Sequence, residues 1–337
     1  MSSPARPKRP TIRDVAREAG VSRGTVSRVL NGGDYVSPAS LQLVNAAIDR
    51  TGYIANEHAR SLASGRSNTM AFLLTEPHHL LFEDPNFATL LRGAAEALSE
   101  RDLPMVLVMA STPAERRRTL SYLTNGHVDG VLAVSSHAGD PLVADLLKAG
   151  VPVVACGRPL GQKGRVGYVA ADDVGGAREM TAHMLASGRR RVAMVSGPLD
   201  TSGGVDRLAG YREAVGDAWD ERLVAHGEYS RAGGRQAMEQ LLDSAPELDA
   251  VFVASDLMAA GAYTALKEAG RTVPTDVAVA GFDDSVLATT LEPPLSTVHQ
   301  PLQRISHEMV RVLLEVVDGK DPVSVTVPTH LVLRHST

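Results

Sequence analysis

Apolar positions in the first fifty residues recur at helical spacing. In TIRDVAREAG, Ile12, Val15, Ala16 and Ala19 fall at i, i+3, i+4 and i+7. That spacing predicts an amphipathic helix with Thr11 as its N-cap and Gly20 as its stop. In GVSRGTVSRVLNG, winding at about 3.6 residues per turn gathers Arg23, Gly24, Ser27 and Arg28 on one side and puts Val26 and Val29 on the opposite flank. Ser22 caps this second helix and Asn31-Gly32 ends it. A third begins at Ser37-Pro38, is expected to bury Leu41, Val44 and Ile48, and ends near Thr51-Gly52. Two short helices joined by a glycine-containing turn make a helix-turn-helix.

From Thr69 onward the pattern changes. Continuous apolar runs (MAFLLT, MVLVMA, GVLAVSS, VPVVACG, RVAMVSG, AVFVAS, VAVAGFDD) alternate with helical stretches that end in glycine, and VTVPTHLVL reads as the last strand. Such alternation predicts parallel sheets covered by helices on both faces, in two subdomains.

Composition bounds the function classes. At 337 residues the chain is long for one core. Its single cysteine, Cys156, makes neither an internal disulfide nor a cysteine-based metal site, suits a reducing cytoplasm, and reads as a small core residue. No apolar stretch approaches the ~20 residues of a membrane span. MSSPARPKRP is basic without an apolar run, so residues 1–10 read as a disordered cationic tail rather than a secretory signal. The net charge of −5 is unevenly spread: residues 1–66 carry ten Lys and Arg against five Asp and Glu, so the remainder carries −10. A basic head on an acidic body suggests a polyanion partner at one end.

The second helix is then a candidate reader of the DNA major groove. Its valines pack inward, and Arg23 and Arg28 suit guanine edges and phosphates. Gly24 costs ~1 kcal/mol against alanine in a helix, which makes sense where a backbone must approach DNA closely. A solvated, arginine-bearing surface helix is the plainer reading of the same residues.

TIRDVAREAGVSRGTVSRVLNG, followed by VSPASLQLVNAAIDRTGYIANEHARSLASGRS, resembles the lactose/galactose-repressor (LacI/GalR) family of bacterial regulators. The resemblance implies an N-terminal all-α helix-turn-helix domain (11–55), a hinge helix (56–66) and an α/β two-lobed core (67–337) like that of periplasmic sugar-binding proteins. Its N-lobe would take about 69–167 and 300–328, and its C-lobe 168–298 and 329–337, with chain crossings near 168, 299 and 328. Thr11, Ser22, Arg23, Gly24, Thr25, Ser27, Arg28 and Asn31 would face a palindromic double-stranded operator. Asn56, Ala59, Leu62 and Ala63 would belong to the hinge helix. Leu62 matches the family's minor-groove wedge, and the small Ala59 and Ala63 allow close pairing with a second subunit.

For a sugar effector between the lobes, the resemblance points to Arg207, Asp283 and Gln300, with Tyr229 where some members place an aromatic platform. Arg158 and Phe82 join them at strand ends. Arginine and carboxylate suit vicinal hydroxyls, and an aromatic face suits a sugar's C–H face. Plainer readings stand beside these: a surface ion pair for Arg207, a turn residue for Asp283, core packing for Phe82 and Phe87. Asp256 reads as a helix cap, and His78-His79 as a loop without a third metal ligand. Gly157 and Gly203 replace larger residues of other members, which suggests a roomier cleft for an oligosaccharide or glycoside. SRGTVSRVLNG, FEDPNFATLLRG and SDLMAAGA together look most similar to actinobacterial regulators of the cellobiose-responsive type.

No nucleophile elbow at a strand-to-helix turn, no P-loop and no HExxH motif is read in the chain, which disfavours an enzyme. The helix-turn-helix disfavours a transport protein. No cofactor and no metal are expected. LVLRHST closes the chain without a leucine heptad, so the expected state is a cytoplasmic homodimer joined through the core rather than a tetramer. The alternative to sugar-induced release is a ligand that acts as co-repressor or activator.

Overall fold

The structure, a computed structural model, describes residues 10–30, 36–53, 65–162 and 164–337. The chain divides into two compact units, residues 1–68 and 69–337.

The first unit holds α1 (Ile12–Ala19), α2 (Arg23–Leu30) and α3 (Pro38–Thr51). Each start is fixed by a side chain that satisfies an otherwise orphaned donor. The Asp14 carboxylate accepts from the Thr11 backbone N–H at 2.9 Å and its hydroxyl at 2.7 Å. Ser22 Oγ accepts from Thr25 N at 3.1 Å, and Ser37 Oγ from Ser40 N at 3.2 Å. Gly20 ends α1 in the left-handed region at φ 65°. Val15, Ala16, Ala19, Val26, Val44 and Ala47 form the core. Leu41 departs from its expectation: it is 44% exposed, because the described parts of α1 and α2 cover α3 only from Val44 onward.

The second unit begins with β1 (Met70–Leu74), α4 (Leu80–Glu83), α5 (Pro85–Ser99), β2 (Met105–Met109), α6 (Pro113–Thr124), β3 (Gly130–Val134), α7 (Pro141–Lys148), β4 (Val153–Cys156) and β5 (Gly167–Ala171). It continues through α8 (Asp173–Ala186), β6 (Val192–Ser196), α9 (Ser202–Val215), β7 (Val224–His226), α10 (Arg231–Ser244), β8 (Ala250–Val253), α11 (Asp256–Glu268), β9 (Ala278–Asp283), α12 (Val286–Thr290) and β10 (Ser296–His299). α13 (Leu302–Val317), β11 (Ser324–Val327) and β12 (His330–Val332) complete it.

These strands form two six-stranded sheets, ordered β11-β5-β4-β3-β1-β2 and β12-β10-β9-β8-β6-β7. Only the β10–β12 pair is antiparallel among the described pairings. β1, β3 and β6 are buried at every position, as strands covered on both faces must be. α13 returns to the first sheet and supplies Ile305, Met309, Val310, Val312 and Leu313 to its core.

Two expectations are corrected here. The first lobe runs past its expected end at 167: β5 pairs with β4 and β11 in the first sheet, so the chain passes between lobes at Asp172, just beyond the expected 168. GYVAA (167–171) has only a short apolar run, Tyr168–Ala171, and buries alternate positions. VTVPTHLVL is not one strand: β11 and β12 lie in different sheets and the chain crosses at Pro328-Thr329. The remaining passage, at Gln300-Pro301, joins β10 to α13.

Helices α10 and α11 lie close because glycines stand where they touch. A Cβ on Gly234 would sit 2.1 Å from the Met258 carbonyl oxygen, and one on Gly261 2.0 Å from that of Arg231. Backbone cannot step aside as a flexible side chain can. Gly234→Ala is therefore expected to destabilise the core by about 1–3 kcal/mol, seen as a lower urea midpoint at unchanged slope.

Candidate DNA-contact helix and effector cleft

In the first unit, α2 buries Val26 and leaves Arg23, Gly24 and Arg28 exposed, with Ser27 half-buried. The Ser22 and Thr25 hydroxyls lie 2.9 Å apart, and Arg28 Nε reaches the Gly24 carbonyl at 3.4 Å. Thr11 is exposed at the start of α1. A Cβ at Gly24 would meet only Ser22 Oγ, at an ordinary 3.6 Å. Among the described residues, then, packing gives no reason for a glycine here. Asn31, Asn56, Ala59, Leu62 and Ala63 lie outside the described residues.

In the second unit, a cleft of about 920 Å³, counting solvent at its mouth, opens between the two sheets. That falls within the roughly 300–1,000 Å³ of small-molecule sites. Arg207, Tyr229, Asp283 and Gln300 all line it. Each comes from the carboxyl end of a strand or the helix that follows, where open α/β sheets place their ligands.

Arg207 organises the site. It is 6% exposed. Its Nε donates to Asp173 Oδ1 at 2.7 Å, Nη1 to the Ala254 carbonyl at 2.5 Å, and Nη2 to Gln300 Oε1 at 3.2 Å. Asp283 Oδ1 lies 3.6 Å from Nη1, and the guanidinium carbon stands 3.7 Å above the Phe282 ring. Burial opposes its charge, but Asp173 and Asp283 outweigh that and hold it above the ordinary arginine value. For the carboxylates burial wins. Asp173 is pushed up by desolvation despite Arg207. Asp283 rises to about 6 for the same reason, with Arg207 and an Asn86 hydrogen bond pulling the other way. Asp84 rises to about 7, first through burial and then through repulsion from Asp283.

Tyr229 fills space that glycines leave open. A Cβ at Gly197 would fall 2.3 Å from its ring, and one at Gly203 3.0 Å from its hydroxyl. Gly203 therefore makes room for Tyr229 rather than enlarging the cleft. Gly157, at φ 81°, faces Ser202. Tyr229 (φ 50°) and Asp283 (φ 117°) both carry left-handed backbone, a strain that persists only where the surroundings enforce it. Burial pushes the Tyr229 phenol up to about 12, so it stays protonated as a donor.

Two expected cleft residues are elsewhere. Phe82 is 86% exposed, because the single turn of α4 points it outward. Phe87, on α5, lines the cleft and also packs on the first lobe's core. Arg158 does not line the cleft; its guanidinium is held by Asp206 of α9. Asp256 is no cap either: Ser255 caps α11, while Asp256 accepts from Ser285 N and Thr297 Oγ1. Asp84, Asn86, Asp173 and Glu76 line the cleft without having been anticipated. Cys156 lines it too, half-buried, its thiol pushed up to about 12 by burial. Among the described residues no cluster of His, Cys, Asp and Glu is arranged to hold a metal, and no helix is long and apolar enough to cross a membrane.

Residues 11–56 match the bacterial regulatory proteins of the lacI family, and residues 181–337 match the periplasmic binding protein-like domain. The HTH-type transcriptional regulator CelR of Thermobifida fusca is 46% identical over 98% of this chain and 99% of its own. The chain belongs to the LacI family. Among solved structures, this LacI-family chain is similar to a CelR–cellobiose complex (45% identity, TM-score 0.79, covering 98% of this chain and 100% of that one). It is also similar to a lac repressor dimer bound to operator and the anti-inducer ONPF (26% identity, TM-score 0.85, covering 98% and 99%). The protein is thus a sequence-specific DNA-binding transcriptional regulator with a helix-turn-helix N-terminus and a two-lobed, periplasmic-binding-like core.

The raised cleft carboxyls give a signature in pH. Asp84 moves from 3.8 to about 7, so the native state keeps its proton longer than the unfolded chain does. Its contribution to stability is then full below 3.8 and is lost as pH rises through about 7. Asp84→Asn, which keeps an N-cap oxygen for α5, is expected to flatten that fall and raise the ligand-free Tm at pH 8 by a few degrees. Differential scanning calorimetry between pH 4 and 8 checks it.

Proposed function

We propose that this regulator represses sugar-utilisation genes and leaves its operator when a short plant-glucan sugar, cellobiose first among candidates, binds the cleft at Arg207. The observation that carries this is the buried guanidinium, fixed between Asp173, Asp283 and Gln300 with one planar face on Phe282. Such a set pairs donors and acceptors at a fixed spacing, as vicinal ring hydroxyls require, and Tyr229 adds a ring with a protonated hydroxyl. The similarity to CelR and to its cellobiose complex supports the choice of sugar. The sugar is bound and released unchanged, so the protein is no enzyme. It works in the cytoplasm as a homodimer on a palindromic operator, since two copies of α2 related by a two-fold axis read inverted half-sites.

The test uses a palindromic duplex selected from random sequence, with binding followed by fluorescence anisotropy. Cellobiose is expected to weaken operator binding by roughly 5- to 150-fold, the span of coupling energies of ~1–3 kcal/mol. Tightening would make the ligand a co-repressor, and no change would exclude cellobiose as effector. The variant to pair with it is Arg207→Lys. Arg207→Ala would strand Asp173 and Asp283 without a counter-charge, a loss of about 3–5 kcal/mol that unfolds rather than informs. Lysine keeps the charge and loses the fork. Its cellobiose affinity, by calorimetry, is expected to fall at least ~10-fold, one hydrogen bond's worth of buried partner.

Gly24→Ala tests the other end. No contact among the described residues opposes the extra methyl. The variant should be as stable as the parent or more so by up to ~1 kcal/mol, yet bind operator more weakly. Equal operator affinity would remove Gly24 from the DNA-facing set.

A further inference from the structure

Outside the Arg207 cluster, a second set of charges joins the lobes. His137, in the loop after β3, donates or accepts at both ring nitrogens: Nε2 lies 2.8 Å from Glu76 Oε1, and Nδ1 lies 2.9 Å from Asp200 Oδ2. Glu76 follows β1 in the first lobe, and Asp200 follows β6 in the second. The backbone closes the same gap, with Ala138 N donating to the Asp200 carbonyl at 2.6 Å. One strand over, Arg158 after β4 is held by Asp206 of α9, again from lobe to lobe.

Topology says where these links lie. The three passages between lobes leave from β5, β10 and β11, at one edge of each sheet. His137 and Asp200 leave from β3 and β6, towards the opposite edges. Covalent crossings near one edge and the His137–Asp200 link further across the sheets make a hinge and a clasp, with the Arg158–Asp206 pair between them. Ser135 Oγ also donates to Glu76, which lines the cleft.

We infer that His137 clasps the two lobes away from the chain crossings, and so sets how long a bound sugar is retained. His137 touches no sugar in this assignment; it is a positioning residue that acts through Glu76 and Asp200. The inference rests on the effector reading above.

Charge makes the clasp testable. The hydrogen bond to Glu76 is the largest influence on the imidazole; burial opposes it, but with the hydrogen bond to Asp200 and the two negative charges added the imidazole rises from 6.5 to about 9. Hydrogen bonds from His137 and Ser135 hold Glu76 below its usual range although burial pushes it up. The charged groups around the ring are thus Glu76 from the β1 loop and Asp200 from the β6 loop. Asp140, in its own loop, is paired with Arg116 of α6 at 3.4 Å, and the Arg158–Asp206 pair lies beyond. A raised histidine favours the joined state fully below 6.5, and the advantage is lost as pH rises through about 9.

The experiment compares the full-length protein with His137→Gln and Asp200→Asn in two readouts. Cellobiose affinity is measured by calorimetry from pH 6.5 to a unit above 9, and the amide protection factor of Ala138 is measured without sugar. Asp84 and Asp283 titrate in parent and variant alike, so the ratio of the two Kd values isolates His137. His137→Gln is expected to weaken cellobiose about tenfold at pH 6.5, mainly through faster dissociation, with the ratio returning to about one above pH 9. Ala138 should lose protection in both variants; Asp200→Asn, on the half-exposed partner of the other lobe, guards against a folding defect peculiar to His137. A ratio independent of pH, or unchanged Ala138 protection, overturns the clasp. If the parent binds no cellobiose, the choice of effector falls, and Ala138 protection alone still decides the clasp.

Discussion

The core of this regulator is organised around one buried charge. Taking a guanidinium out of water is costly unless counter-charge and acceptors surround it. Arg207 meets that demand with Asp173, Asp283, the Ala254 carbonyl and Gln300, drawn from α8, β9, the end of β8 and a passage between lobes. The cost is passed outward. Asp283 and Tyr229 take left-handed backbone to face the cleft, and the carboxyls near them sit well above their usual range. Strained backbone and raised carboxyls are thus gathered around a single guanidinium.

Gln300 gives the charge a mechanical connection. Its side chain accepts from Arg207, and its backbone N–H donates to the Asp283 carbonyl at 3.1 Å. It lies in the segment through which the chain passes from the second lobe to the first. Arg207 is therefore tied to a crossing segment directly, without a relay of packed side chains.

The architecture was legible where physics left a one-dimensional trace. Strands buried on both faces read as unbroken apolar runs, and helix starts announced themselves as Ser37-Pro38 and Thr11. β5, β7 and β10 were not legible, because GYVAA, VAH and STVH owe their pairing to neighbours far along the chain. In the cleft, Arg207, Tyr229, Asp283 and Gln300 were found through motif resemblance, and the structure brings them together. Asp84 was hidden behind an ordinary role: Asp-Pro-Asn is a helix start, and Asp84 does cap α5 while also facing Asp283. Phe82 misled because an aromatic after β1 can line the cleft or pack the core, but one turn of helix carries Phe82 outward while Phe87, five residues later, does both.

The late return of α13 to the first sheet bears on how the molecule is made. When the ribosome has delivered residues up to Ala171, the first lobe has five of its six strands, but one face of its sheet lacks Ile305, Met309, Val310, Val312 and Leu313. The second lobe, from Asp173 to His299, then emerges as a nearly continuous run that wants only β12. The first lobe to be synthesised is thus completed only after nearly all of the second has emerged, when α13 and β11 return to it. Its open apolar face waits through the synthesis of more than a hundred residues, a window in which a nascent chain is exposed to misassembly.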